Sequence, residues 1–157
     1  MDDEFKIEGL EGLQKAMAGV ANRFPEEKSK ELLKLGLMLE AELKPLIPVD
    51  TGRLRSSFNT QLIDGDSSEC GTDVEYAQML NDGHTQTARF LPAKYLKNAP
   101  NDKGVMLANK FIPGKHFMED GFQALQPKAQ TELENWIQNM LDKIGSDNDN
   151  ISSTFGK

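Results

Sequence analysis

Two histidines, one cysteine and two aspartates a residue apart are the side chains of this 157-residue chain best suited to chemistry. A histidine serves as a base or a metal ligand near neutral pH. Neither His84 nor His116 sits at a ligand spacing such as HExxH, and each lies in a turn marked by glycine. Cys70 is alone, which excludes an internal disulfide and a thiolate zinc set; a small strand residue is its ordinary reading. Asp64 and Asp66 would offer a cation two carboxylates, but Asp64-Gly65-Asp66 is also a turn signal that accounts for both. No GxSxG, Walker loop or Rossmann glycine set is present, and Gly9-Leu10-Glu11-Gly12 is too short to open a phosphate site. Tyr76 and Trp136 read as core or interface anchors, because no basic residues interleave with them as base stacking requires. No catalytic residue, metal or cofactor emerges, and the expectation is a protein that is not an enzyme.

Charge is more informative than these side chains. The net charge is -7, which argues against a simple coat on nucleic acid, since phosphate binding draws on a surplus of Lys and Arg. Yet residues 84–115 carry Arg89, Lys94, Lys97, Lys103, Lys110 and Lys115 against Asp102 alone, a local +5 that leaves -12 for the rest. A basic segment on an acidic body suits passing DNA, an acidic partner or a neighbouring subunit, and an ordinary solvated face is the plain alternative. With His84 this segment is the candidate partner-contact loop. No apolar run is long enough for a membrane span, and the acidic start Met1-Asp2-Asp3-Glu4 lacks the basic region and apolar core of a signal peptide. The chain is therefore expected to begin here, in the cytoplasm, with no membrane partner.

The elements that must position these residues follow from periodicity. Alternation of Phe5 and Ile7 with charged neighbours predicts a short edge strand over residues 4–8. Leu10, Leu13, Met17, Val20 and Phe24 predict a first helix ending near Arg23. Pro25 then suits the start of a second helix, whose Leu32, Leu35, Leu39 and Leu43 form a stripe that Pro45 and Pro48 end. From Ser57 the period becomes two, and Asp64-Gly65-Asp66 joins two strands as a hairpin that runs to about Val74. Tyr76 to Leu80 predicts a short helix closed by Asp82-Gly83. Residues 84–104 read as a possible strand and then a long loop, and Val105 to Ile112 as a returning strand. A last helix starts near His116, breaks or kinks at Pro127 and ends at Gly145. The expected fold is α+β, three main helices on an antiparallel sheet of three to five strands. It comprises one domain over residues 1–145 and a disordered tail over 146–157.

One stretch is built to a single shape. In Pro48-Val49-Asp50-Thr51-Gly52-Arg53-Leu54-Arg55-Ser56-Ser57-Phe58, Pro48 fixes its φ and Asp50 or Thr51 can cap a short helical turn. Gly52 opens backbone closed to other residues, and Arg53 and Arg55 are then placed on an exposed surface. Followed by Gly71-Thr72-Asp73-Val74-Glu75-Tyr76-Ala77 and Gly83, this turn resembles the tail-component family of tailed bacteriophages and prophages. The pattern there is a PVDTGxLRxS turn, a strand pair, a GTxxxYAxxVExGT stretch and a C-terminal helix, before which Lys115-His116-Phe117-Met118 stands here. Leu80 and Asn81 replace the usual valine and glutamate, and His84 the usual threonine. The segment between Thr85 and Gly114 is longer than in the shortest members.

The resemblance covers about residues 5–144 and implies a structural virion protein for tail completion or head-tail joining, with no catalytic residues. Such proteins form a ring, commonly of six copies, between the head connector and the tail, after assembly in the host cytoplasm. Its partners would be its own copies, connector or adaptor and tail proteins, and possible contact with passing DNA. Alternatives from other classes are a nucleic-acid-binding module in DNA packaging or ejection and a small hydrolase acting through His84 or His116.

Overall fold

The computed structural model describes residues 10–50 and 52–154, so the expected strand at 4–8 and Thr51 of the turn lie outside the described residues. Two long helices form the frame, α1 over Leu10–Leu46 and α4 over Phe117–Thr154. They lie antiparallel, since Glu42 pairs with Lys128, Lys34 with Glu132 and Glu27 with Lys143. Both pass through prolines where the sequence predicts interruption: α1 contains Pro25 and α4 contains Pro127. A proline inside a helix costs about 3 kcal/mol through its lost hydrogen bond and ring clash. Packing on both sides offsets this. Phe24 stacks at 5.8 Å on Trp136 just before Pro25, and Glu27 meets Lys143 just after it, so a break would detach one of the two from α4. Around Pro127, Leu125 is buried and Lys128 reaches Glu42. α4 also continues past Gly145 to Thr154, through most of the segment whose composition suggests a tail.

Two glycines set the distances between layers. A Cβ on Gly121 of α4 would collide with the Leu43 side chain of α1, so the helices approach closely there. A Cβ on Gly36 would lie 2.5 Å from Thr60 Cγ2. Thr60 belongs to β1 (Asn59–Asp64), which pairs antiparallel with β2 (Ser67–Gly71) in a hairpin laid across the middle of α1. Ser68 Oγ donates to the Leu32 carbonyl at 2.8 Å, and the Thr60 hydroxyl donates to Glu40 Oε2 at 2.8 Å. Hydrogen bonds from Lys44 and Thr60 hold the Glu40 carboxyl below its ordinary range.

The core gathers at one end of this frame. Leu39 and Leu43 from α1 and Ile47 just after it meet Leu54 of the short helix α2 (Arg53–Ser57), Phe58 before β1 and Phe117 at the start of α4. Phe58 and Phe117 pack edge to face, 6.2 Å between centres. The other end of the helix pair is open, with Leu13, Met17, Ile137 and Leu141 exposed. Between the two ends, in the middle of α1, burial raises the Glu31 carboxyl above its ordinary range, and its Oε1 meets no hydrogen-bond donor among the described residues.

After the short helix α3 (Ala77–Asp82) the chain leaves the body as a β arm. β3 (Gly83–Gln86) pairs with β6 (Lys110–Pro113), and β4 (Arg89–Pro92) with β5 (Gly104–Leu107), both antiparallel. The predicted long loop is thus largely a ribbon, capped by a 3-10 turn over Ala93–Tyr95. At its middle the ladder is interrupted because Asn109 Oδ1, in place of a backbone carbonyl, accepts the Ala88 amide at 2.6 Å. The fold is α+β, as expected, but among the described residues the strands form three two-stranded sheets in place of one larger sheet. Of the four helices among the described residues, two are long.

Candidate assembly surfaces

The two sequence motifs come together in space. Gly52 takes φ 80, ψ -8, a left-handed conformation that favours glycine, and opens α2; the Ser56 amide then donates to its carbonyl at 3.0 Å. A Cβ at Gly52 would meet no atom within 4 Å, so the demand there is on the backbone alone. α2 buries Leu54 and directs Arg55 back to α1, where its Nη2 donates to the Ile47 carbonyl at 3.2 Å. Arg55 is therefore half-buried and structural, while Arg53 is exposed, so the expected pair of surface arginines is only half met. Ser57 Oγ lies 2.5 Å from Thr72 Oγ1, which ties the turn to the end of the hairpin. A cleft of about 220 Å³ lies between the motifs, lined by Pro48, Val49 and Arg53 on one side and Tyr76 and Leu80 on the other. Ala77 packs against the core beside it.

Gly83 marks the root of the arm. Its φ is 88 with ψ 169, and a Cβ would lie 2.6 Å from the Ile112 carbonyl oxygen and 2.7 Å from the Gly114 nitrogen. The predicted left-handed cap is thus a positive-φ glycine with an extended ψ, which launches β3 instead of merely closing α3. Beside it stands a residue that the motif reading noted only as a departure from the family pattern. Asn81 is buried, its Oδ1 accepts the Met118 amide at 2.9 Å, and its Nδ2 donates to Asp82 Oδ1 at 2.7 Å and Glu119 Oε2 at 3.1 Å. In return the Lys115 and His116 amides donate to the Leu80 and Asn81 carbonyls at 2.9 and 3.0 Å. One side chain caps the start of α4 while the residues before α4 cap the end of α3. His116 holds the joint at φ 51.

From this fixed root the arm carries unusual content for a surface. Phe90, Tyr95, Met106 and Phe111 are all more than half exposed. Of the candidate contact residues, Arg89, Lys94, Lys103 and Lys110 lie along the ribbon or its tip and meet no carboxylate among the described residues. Lys94 sits 4.8 Å over the Tyr95 ring. Lys97 pairs with Asp50 of the turn across exposed surface, so the tip of the arm comes back to the first motif. His84 is half-buried in β3 opposite Ile112, with no hydrogen-bond partner at Nδ1 among the described residues.

A second concavity lies beside the root, with a volume of about 500 Å³. Its floor is the outer side of the core at Phe58, Val74 and Phe117, and its rim carries Asp73, Glu75 and Asp82. Sequence reasoning offered no sign of this groove, because its rim comes from the Gly71 to Asp82 stretch and its floor from three separate elements.

The chemical candidates stay dispersed. Asp64 accepts the Asp66 amide at 2.8 Å and the Ser67 hydroxyl at 2.9 Å, bonds that hold it below its ordinary range and commit it to the hairpin turn. Burial pushes the Cys70 thiol up, away from the reactive thiolate. Among the described residues no three His, Cys, Asp or Glu side chains gather as a metal site, and no helix is long and apolar enough to cross a membrane.

Comparison with known proteins agrees with the geometry of the turn. Residues 11–83 match the family described as "Bacteriophage HK97-gp10, putative tail-component", a match that spans α1, the turn, the hairpin and α3 and ends where the arm begins. The chain is also similar to Phage-like element PBSX protein XkdI of Bacillus subtilis (strain 168), 28% identical over 163 residues, which cover 88% of this chain and 99% of that one. No solved structure matches it. Over residues 11–83 the chain is thus similar to the phage tail-component family that its turn and its Tyr76-Ala77 motif resemble.

Proposed function

We propose that the chain is a neck subunit of a phage or prophage virion, one of several copies that close into a ring between the head connector and the tail. A structural role in a phage tail or neck follows from the kinship of residues 11–83. The ring is supported by one observation above others: a single chain presents two unlike surfaces, a basic apolar arm and an acidic groove. A ring needs unlike faces, because each subunit meets the next through different patches and closure follows from the rotation between them. An isologous dimer would need only one patch that fits itself. The connector or adaptor and the tail proteins would then meet the two sides of the ring, with the chain in the host cytoplasm during assembly and in the virion afterwards.

Electron microscopy of particles from a phage or prophage lacking only this gene, beside a complemented control, tests the reading. Filled heads separate from tails, or tails with abnormal ends, support the neck position. Normally joined particles contradict it. Contact of the arm with DNA is a second reading favoured by the local +5 of residues 84–115; it predicts duplex binding that weakens steeply with salt.

A further inference from the structure

We infer that the β arm of one copy docks in the acidic groove of the next copy, with its apolar side chains on the groove floor and its cations against the rim. The inference rests on the ring reading and gives that ring its contact. Three observations carry it. The arm exposes Phe90, Tyr95, Met106 and Phe111, apolar area that its own chain leaves uncovered. The groove offers about 500 Å³ lined by the partly exposed Ala77 and Met118, with Phe58, Val74 and Phe117, each less than a tenth exposed, at its base. The charges match: Arg89, Lys94, Lys103 and Lys110 meet no carboxylate of their own chain among the described residues, and Asp73 and Glu75 on the rim meet no cation.

Geometry favours the neighbour over the same chain. The arm starts at Gly83, directly beside Asp82 on the rim, and turns its tip toward Asp50 through the Lys97 ion pair. Released from Asp50 and straightened, a ribbon of this length would span roughly 30 Å at about 3.3 Å per residue, enough to reach a second body. The root is held by Asn81 and the positive-φ Gly83, so the arm leaves the body in one direction. The tip is held to its own chain by one exposed ion pair, which is easily exchanged for a partner. An arm fixed at its base and loosely held at its end delivers the same contact from every copy, as a closed ring requires.

Charge reversal in the full chain tests this. One variant carries Arg89→Glu, Lys103→Glu and Lys110→Glu on the arm; another carries Asp73→Lys and Glu75→Lys on the rim. Both are read by sedimentation of the purified chain and by the fraction of joined particles after complementation of the deletion. Each variant alone is expected to associate about tenfold or more weakly, since like charges then face each other across the contact. Mixing the two variants is expected to restore association, because each arm then faces a groove of opposite charge.

A rim variant that associates and complements normally overturns the inference, as does a mixture that fails to recover. Loss with the arm variant alone would assign the arm to DNA or to itself. If the deletion breaks head-tail joining while the rim variant restores it fully, the arm contact is wrong and the neck reading stands. If the deletion leaves joined particles, the neck reading is wrong and sedimentation still decides the contact. An unaltered chain that stays monomeric at every concentration and gives normal particles without it overturns both.

Discussion

Phe58 and Phe117 in the body and Phe90 and Phe111 in the arm are the same residue type under opposite rules. The first two are 3% and 1% exposed and lie edge to face; the second two are 52% and 60% exposed. Burying such a side chain contributes about 1.5–3 kcal/mol, so the body draws stability from its phenylalanines and the arm does not. A ribbon two strands wide cannot bury both of its faces by itself. The arm therefore holds in reserve the apolar area that the body has used. The difference separates a body that spends its apolar area on the fold from an arm that leaves its own uncovered, the two joined at the Asn81 and Gly83 root.

The largest expected effect breaks the body alone. Phe117→Ala should cost about 3–5 kcal/mol in denaturant unfolding, the range for emptying a core phenylalanine site. Met106→Ala on the arm, where the side chain is 73% exposed, should leave the unfolding midpoint unchanged and appear only in assembly. Equal losses of stability from both would erase the distinction.

Mutations at the root should sit between these. Asn81→Ala leaves the Met118 amide at the start of α4 without its cap and is expected to cost about 1–3 kcal/mol by thermal melting. Gly83→Ala adds a Cβ 2.6 Å from the Ile112 oxygen at positive φ, and should cost a similar amount, about 1–3 kcal/mol, with the arm displaced.

Smaller effects come from the carboxylates along α1 and from the arm tip. Burial raises Glu31 above its unfolded value, so its ionised carboxylate weakens the fold above the folded pKa, and the penalty fades as pH falls below the unfolded one. Glu31→Gln should therefore stabilise at neutral pH, with the gain shrinking as pH falls in a pH series of melts. Glu40, whose pKa is lowered, behaves in the opposite sense: its contribution is present above the unfolded pKa and is lost as pH falls through the folded one. Lys97→Ala should leave the melt unchanged, because the Asp50 pair is exposed on both sides. Its effect would be a freer arm tip.

The parts legible in the sequence were those set by local signals. The hairpin at Asp64-Gly65-Asp66 formed where strand alternation and turn chemistry coincided, and Gly52 took the positive φ that its place in the turn suggests. The similarity of residues 11–83 to the tail-component family was likewise visible in motif order. What failed was local evidence overruled by distant contacts. Pro25 and Pro127 are strong breakers, but a partner helix held both sides of each. Gly36 in a leucine-rich helix was an available sign of close approach, since glycine there is unfavourable by about 1 kcal/mol unless something lies against it. Residues 84–104 read as mostly loop because their strands are four residues long and split by a side-chain bond from Asn109. Asn81 could not be found from spacing, because the amide it caps lies in α4.

The central claim is that the arm is open in the free chain and covered in the assembly. Amide hydrogen exchange, measured on the purified subunit and on assembled particles, tests it directly. The account predicts faster exchange over residues 89–92 and 104–107 than over the helical core around Leu39 and Leu43 in the free chain, and strong slowing of the arm alone on assembly. Arm amides that exchange equally in both states, or are already as slow as the core in the free chain, would contradict it.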